Sequence, residues 1–263
     1  MTLPSQITLA LINKIGVEAF VSALPDDEVE GFLLQLRALS DAEKFGKFKA
    51  LFPDDGPFRR ELYTKHLEFF EAGAKYRERC FMAGNRTGKT VAASFEITCH
   101  LTGDYPPWWK GRKFNRPVKV WAAGKTNETT RDIIQTELLG NIVFHGQRKA
   151  IDGTGLIPKH LIGTELGELS WKIGVPDLID VVRIKHLTGE WSELGLKSYQ
   201  QGRGSFEGTA RDVIWFDEEP PMDVYGEALI RTATTNGIVM LTFTPLLGMS
   251  DVVQAFLPKE TIA

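Results

Sequence analysis

The hydrophobic pattern of the N-terminal part of the chain predicts helices rather than strands. Apolar residues recur at helical spacing in two stretches, and Asp26 or Asp27 can cap the second helix. The hexapeptide at 52–57 holds two prolines and a glycine, which is typical of a turn or linker. Residues 1–57 are therefore expected to form a small helical N-terminal appendage for packing or partner binding, without a catalytic role. The apolar positions are Ile7, Leu11, Ile12 and Ile15 in the first stretch, and Val29, Phe32, Leu33 and Leu36 in the second.

From Phe58 onward, short apolar runs alternate with amphipathic stretches. This alternation of strands and helices predicts an α/β fold with a mainly parallel central sheet flanked by helices. We assign residues 58–263 to this larger domain. The runs at 178–186 and 194–199 are expected to pair as a hairpin. The other predicted strands are 79–83, 118–123, 212–216 and 238–243, and the predicted helices are 61–73, 88–101, 224–234 and one capped by Thr126 or Asn127.

Composition limits the class of protein. With 263 residues, of which 43% are apolar, the chain can bury the core of one large domain. It has no run of about eighteen apolar residues, so neither a transmembrane helix nor a membrane partner is expected. Its two cysteines, Cys80 and Cys99, exclude a disulfide framework and favour a reducing intracellular setting.

The charge is unevenly distributed along the chain. Residues 1–57 carry 5 basic and 9 acidic groups, residues 58–150 carry 17 and 9, and residues 151–263 carry 9 and 16. A polyanion would therefore be attracted to the middle third, although the overall balance is −3. Nucleotide phosphates alone can account for part of this excess.

The strongest chemical motif fits the phosphate-binding template G-x-x-x-x-G-K-[ST] at every defined position except the first. A predicted strand precedes it and a predicted helix follows, which is the context that the template requires. Backbone N–H groups at such a helix N-terminus can wrap the phosphates of a nucleotide. The motif consists of Ala83, Gly84, Asn85, Arg86, Thr87, Gly88, Lys89 and Thr90.

Three side chains of this loop have candidate roles toward ATP. Lys89 would neutralise the β- and γ-phosphates, and the Thr90 hydroxyl would bind Mg²⁺. Arg86 would either contact the γ-phosphate as a catalytic cation or point into solvent, and the sequence leaves both interpretations open.

A second motif is the apolar run 213–216, which ends in three carboxylates. This is the form of a Walker B strand, a buried parallel strand that delivers acids to the carboxyl edge of a sheet, where ligands bind. Asp217 would hold Mg²⁺, and Glu218 would polarise the attacking water. Glu219 is expected to point the other way, because side chains alternate along a strand.

These segments resemble the large terminase subunits of tailed phages. The resemblance covers about residues 58–250 and is carried by 63–90, 121–135, 213–221 and 242–245. It implies an ATPase motor domain of the P-loop NTPase fold, of the type with an additional strand and a catalytic glutamate. Its cofactors would be ATP and Mg²⁺, and it would translocate double-stranded DNA into a procapsid. A helicase-like or other DNA-dependent P-loop ATPase is the alternative.

The resemblance also implies roles for further residues. Tyr63 and His66 would contact the adenine, and Thr242 and Thr244 would report the state of the γ-phosphate. Copies of the chain would form a ring on the portal in the host cytoplasm, with a small terminase subunit as a further partner. No nuclease site is predicted in this chain, which is expected to be an isolated ATPase domain. The candidates for an arginine that reaches a neighbouring copy's ATP are Arg131, Arg203 and Arg211.

Overall fold

The computed structural model describes residue 14 and residues 16–257. The predicted helical stripe from Ile7 to Ile15 lies outside the described residues. The second predicted helix begins at Asp26 with Pro25 in the cap position, so the predicted cap by an aspartate is wrong. Within the described ranges, no helix is both long enough and apolar enough to span a bilayer. The α-helices are α1 Val17–Ser22, α2 Asp26–Phe45, α3 Lys47–Ala50, α4 Thr64–Ala72, α5 Lys89–Thr102, α6 Asn127–Thr129, α7 Thr136–Leu139, α8 Met222–Ala233 and α9 Asp251–Phe256.

The main sheet has seven strands in the order β1-β9-β8-β2-β7-β6-β5. The five from β1 to β7 are parallel, whereas β6 and β5 are antiparallel additions. The mainly parallel sheet and the hairpin of β6 with β7 are thus confirmed. The strands are β1 Glu78–Met82, β2 Lys119–Gly124, β3 Ile142–His145, β4 Arg148–Ile151, β5 Leu169–Trp171, β6 Ile179–Lys185, β7 Trp191–Ser198, β8 Val213–Asp217 and β9 Ile238–Phe243.

The additional strand between the P-loop strand β1 and the Walker B strand β8 is β9. In the sequence, the strand that separates those two motifs is β2, but in space β2 lies on the far side of β8. Because β9 pairs with both β1 and β8, the last strand of the chain touches both halves of the predicted site.

Strand β8 shows why its sequence is apolar throughout. Val213 and Trp215 face the core layer that contains α5, whereas Ile214 and Phe216 face the layer that contains α8 and α9. A parallel strand with helices on both faces buries every side chain, so its sequence does not alternate.

Residues before the predicted domain boundary already belong to the main core. Phe48 and Phe52 are buried among the α5 and sheet residues, and Lys47 forms a 2.8 Å ion pair with Glu137. These contacts show that residues 47–52 pack against the larger domain, across the predicted boundary at 58.

Three strands lacked a usable sequence signal. β3 and β4 form a separate two-stranded hairpin whose residues are mostly exposed or half-buried, and β5 has only three residues. Short strands with little burial do not need the alternating apolar pattern on which strand prediction rests.

Candidate nucleotide site

The phosphate loop joins the end of β1 to the start of α5. Gly88 occupies the helix cap with φ 82°, a left-handed conformation that favours glycine. A Cβ on Gly88 would also lie 3.0 Å from the Nε2 atom of His66, a tight contact that adds to the backbone preference for glycine. Ala83 extends the ladder beyond β1, donating its N–H to the Phe243 carbonyl at 3.3 Å. An alanine is therefore compatible with the first position of the motif.

The Lys89 ammonium group lies inside this loop. It donates to the carbonyl oxygens of Ala83 at 3.0 Å and Gly84 at 2.6 Å, and to the Thr244 hydroxyl at 3.1 Å. The side chain is buried, with 9% of the residue exposed. All three partners of the ammonium group are uncharged oxygens, so no carboxylate within the described residues neutralises its charge.

Asp217 lies directly beneath the start of α5. Its Oδ1 atom accepts hydrogen bonds from the hydroxyls of Thr90 at 3.1 Å and Thr242 at 2.8 Å. Burial raises the pKa of Asp217 to about 6, against the two threonine hydrogen bonds that lower it. A buried carboxylate whose charge is only partly compensated is suited to receive a cation.

The oxygens of Thr90 and Asp217 fit Mg²⁺. Mg²⁺ prefers hard oxygen ligands and is usually held by one or two protein groups together with waters and substrate phosphates. In the described part of the chain, no group of three or more His, Cys, Asp or Glu side chains is arranged for a metal. The pair therefore fits a nucleotide-bound cation better than a cation held by protein alone.

The two glutamates after Asp217 differ in environment. Glu218 has φ 70° and an exposed side chain that makes no hydrogen bond within the described residues, while its N–H donates to the Thr242 carbonyl at 2.9 Å. Glu219 instead accepts a hydrogen bond from the Ser250 hydroxyl at the cap of α9. Of these two glutamates, Glu218 is the one whose carboxylate is not engaged by another described side chain.

Tyr199 supports the strained turn at Glu218 and was not found from the sequence. Its hydroxyl lies 2.9 Å from the carbonyl oxygens of Asp217 and Glu218 and 3.3 Å from that of Ala123. Burial raises the pKa of Tyr199 well above its usual range, so the group remains a hydrogen-bond donor. It ties the end of β7 to the ends of β2 and β8. No motif marks this tyrosine, because its partners are backbone atoms.

Two threonines at the end of β9, Thr242 within the strand and Thr244 just after it, connect the two motifs. Thr242 accepts from Trp215 Nε1 at 2.8 Å and donates toward Asp217. Thr244 lies 2.9 Å from both the Ala83 carbonyl and the Asn85 Oδ1 atom. One strand end thus contacts the Asp217 carboxylate and the phosphate loop together.

A cleft of about 440 Å³ opens beside the phosphate loop. Tyr63 and His66 line it, with their rings edge to face and the centroids 5.5 Å apart. Burial lowers the pKa of His66, which keeps the imidazole neutral near neutral pH. The walls are mainly apolar and aromatic, which suits a planar base. Sequence reasoning missed the contribution of Phe52 and Phe58, which also line the cleft.

The candidate arginines differ in position. Arg86 is exposed, has φ 60° and lines the cleft. Arg131 pairs with Asp132 at 2.7 Å, and Arg203 pairs with Glu227 of α8 at 3.0 Å. These three remain candidates.

The structure corrects the prediction that Arg211 is a candidate to reach a neighbouring copy's ATP. It precedes β8, and so lies at the opposite edge of the sheet from the phosphate loop. There it pairs with Glu193 at 3.3 Å and stacks 4.4 Å over the Trp121 ring. A buried arginine held in this way cannot reach a neighbour's nucleotide.

The inserted strand, the phosphate loop and the Walker B carboxylates define a P-loop NTPase of the additional-strand, catalytic-glutamate class. The chain belongs to the terminase large subunit family: a family model described as terminase large subunit, T4likevirus-type, N-terminal, matches residues 80–262. A curated relative, the terminase large subunit of Salmonella phage P22, is 42% identical over 218 residues, which cover 76% of this chain. The chain spans only 42% of that relative's length.

Two solved structures are similar to this chain at lower sequence identity. The ATPase domain of the large terminase of Thermus phage P74-26, in an arginine-to-alanine variant, is 16% identical, with a TM-score of 0.44 over 73% of this chain and 71% of that one. The large terminase of a thermophilic bacteriophage in complex with ADP is 12% identical, with a TM-score of 0.41 over 68% of this chain and 37% of that one.

Proposed function

We propose that this chain is the ATP-hydrolysing motor domain of a phage terminase large subunit. The observation that carries the proposal is the convergence of Lys89, Thr90, Asp217 and Glu218 at one edge of the sheet, linked by hydrogen bonds through the β9 threonines. This is the set of groups that hydrolysis of a nucleoside triphosphate needs.

Each group has a role in the proposed reaction. The loop N–H groups and Lys89 hold the phosphates, and Lys89 must leave the carbonyls of Ala83 and Gly84 to do so. Thr90 and Asp217 would hold Mg²⁺, which when bound neutralises charge on the phosphate oxygens. Glu218 orients a water molecule for in-line attack and accepts its proton. Arg86, which is exposed and lines the cleft, would be a second cation of the same loop for the γ-phosphate.

The state of the nucleotide would reach the rest of the domain through β9. When Lys89 moves to a phosphate, Thr244 loses its hydrogen bond from the lysine. Asp217 would hold the cation, and Thr242 donates a hydrogen bond to the Oδ1 atom of that same carboxylate. Both threonines lie at the end of a single strand, which pairs with β1 and β8.

The wider assembly is also a proposal. Double-stranded DNA would be the moved substrate, and copies of the chain would form a ring on the portal in the host cytoplasm. A neighbouring copy would supply Arg131 or Arg203 to the ATP, since an extra cation stabilises charge in the transferred phosphoryl group. The small terminase subunit would be a further partner. The absence of a nuclease site belongs to the same proposal.

The test is steady-state ATP hydrolysis against protein concentration, with and without double-stranded DNA. We expect the rate per subunit to rise with concentration and with DNA, and to vanish in Lys89→Ala. A rate per subunit that is flat and indifferent to DNA would contradict the ring motor. Mixing Lys89→Ala with Arg203→Ala or Arg131→Ala subunits identifies a group acting in trans, because only a trans-acting arginine restores activity in the mixture.

A further inference from the structure

The amino edge of the main sheet, opposite the nucleotide site, is strongly basic. We define the amino edge by the segments 75–78, 112–119, 183–193 and 211–212, which precede or follow the strands there. They contain nine basic and four acidic residues, a balance of +5, in a chain whose overall balance is −3.

Contacts between these segments place them in one continuous row. Arg77 Nε donates to the Gly237 carbonyl at 3.2 Å, which connects the starts of β1 and β9. Arg116 donates to Asp212 at 2.6 Å, which connects the starts of β2 and β8. Glu193 N–H donates to the Val118 carbonyl at 2.9 Å, which adds β7.

The row is wide enough for a DNA duplex. From β1 to β6 there are six neighbouring strands, and spacings of about 4.8 Å give an edge of about 24 Å. The major groove of B-DNA is about 12 Å wide, so such an edge can reach phosphates on both sides of it.

Most acidic groups of the amino edge are already satisfied internally. Asp212 is paired with Arg116, and Glu193 is paired with Arg211. Glu78 accepts a hydrogen bond from the hydroxyl of Tyr225 at 2.5 Å. The fourth acid, Glu190, is exposed.

Four cations of the amino edge remain available to a ligand. Lys75, Lys113, Lys119 and Arg183 are exposed and form no ion pair within the part of the chain that the structure describes. Lys119 and Arg183 line a polar notch of about 420 Å³ together with Ser192 and Glu193, and the Glu193 carboxylate is already paired with Arg211. Two free cations and a hydroxyl around a polar notch are suited to a phosphate group.

We propose that the amino edge is the surface on which this domain contacts the phosphates of double-stranded DNA, an inference that rests on the proposed function. Contacts of this kind are independent of base sequence, as a translocating motor needs. The five-residue strands separate the amino edge from the nucleotide site by about 17 Å. The DNA charge is thereby kept away from the carboxylates that serve ATP hydrolysis.

The experiment measures binding of a fluorescent 30-base-pair duplex by anisotropy at several salt concentrations. In Lys119→Ala/Arg183→Ala we expect the dissociation constant at 0.1 M salt to rise roughly tenfold or more. The log–log salt slope should become shallower by about 2, since each lost phosphate contact removes about 0.9. Basal ATP hydrolysis should be unchanged and its stimulation by DNA lost. The charge-conserving variant Lys119→Arg/Arg183→Lys should bind like the wild type.

The matched control is Arg148→Ala/Lys149→Ala, which removes the same charge from the separate β3–β4 hairpin. It should leave the affinity and the salt slope unchanged. If the amino-edge variant binds as tightly and with the same slope as the wild type, the surface assignment is wrong and the proposed function stands. If the wild type hydrolyses ATP but neither binds nor responds to DNA, translocation of DNA and the surface assignment both fail.

Discussion

The two edges of one sheet carry opposite chemistry. The carboxyl-edge segments 83–90, 124–128, 199–208, 217–223 and 244–251 hold four basic and seven acidic residues, a balance of −3, against +5 at the amino edge. At the carboxyl edge Asp217 and Glu218 have no cationic side chain paired with them within the described residues, whereas Asp212 at the amino edge is neutralised by Arg116. Under the two proposals above, the unpaired acids would serve a metal ion and a water molecule, whereas the unpaired cations would serve a second polyanion.

Strand β8 illustrates this difference within five residues. Asp212, just before it, accepts hydrogen bonds from Arg116 and from the Lys119 N–H at 2.8 Å. Asp217, at its end, accepts only from threonine hydroxyls and has a raised pKa. An aspartate therefore stabilises the fold at the start of β8, whereas an aspartate at its end destabilises the fold.

The largest expected effect is the loss of hydrolysis in Glu218→Gln. Removing a general base should slow ATP turnover by about 10²–10⁴-fold, while nucleotide and DNA affinity remain. The matched control is Glu219→Gln, which should stay within a few-fold of the wild type because Ser250 already engages that carboxylate. Phosphate release under saturating ATP measures both. A severe loss in Glu219→Gln with an active Glu218→Gln would reverse the assignment of the base.

Replacing Asp212 or Asp217, at the two ends of β8, by asparagine should change the free energy of unfolding in opposite directions at pH 8. Both variants are measured without nucleotide or Mg²⁺. The folded pKa of Asp217 is about 6, above the unfolded value of about 3.9, so the native state binds more protons between those values. Its contribution to stability is therefore present at pH 4 and lost as pH rises through 6. Asp217→Asn should raise the free energy of unfolding at pH 8, by about 3 kcal/mol at most, and much less at pH 4.

Asp212→Asn should instead lower the free energy of unfolding by about 1–3 kcal/mol, since charge-assisted hydrogen bonds are weakened. Urea unfolding at pH 4 and pH 8 gives both values. Destabilisation of equal size in the two variants at pH 8 would show that the two edges do not differ as described.

The smallest expected effects are those of removing the hydroxyl from each of two buried tyrosines. Tyr199→Phe and Tyr225→Phe each remove one hydroxyl and should each cost about 1 kcal/mol of unfolding free energy. Only Tyr199→Phe should also lower ATP turnover, because that hydroxyl holds the turn at Glu218 whereas Tyr225 bonds to Glu78. Thermal unfolding and turnover are measured on the same preparations. Equal ATP turnover in the two variants would show that the Tyr199 hydroxyl does not position the turn at Glu218 for hydrolysis.

Much of the candidate site could be predicted because its chemistry lies in two short contiguous segments. The loop 83–90 and the acids Asp217 and Glu218 carry their own signals, namely glycine spacing, a continuously apolar strand and consecutive carboxylates. The sequence also showed the excess positive charge of residues 58–150. It did not show which cations lie together on the amino edge, since Arg183 comes to that edge from the last third of the chain.

The pattern of apolar residues was enough to indicate the existence and type of most elements, since burial on one or two faces imposes a periodicity on those residues. Tertiary structure alone decided that β9 lies between β1 and β8, that Tyr199 reaches the Walker B turn and that His66 abuts Gly88. The physical reason is that strand order and long-range contacts depend on how whole faces pack together. A local pattern specifies that a face will be buried, but not which partner will cover it.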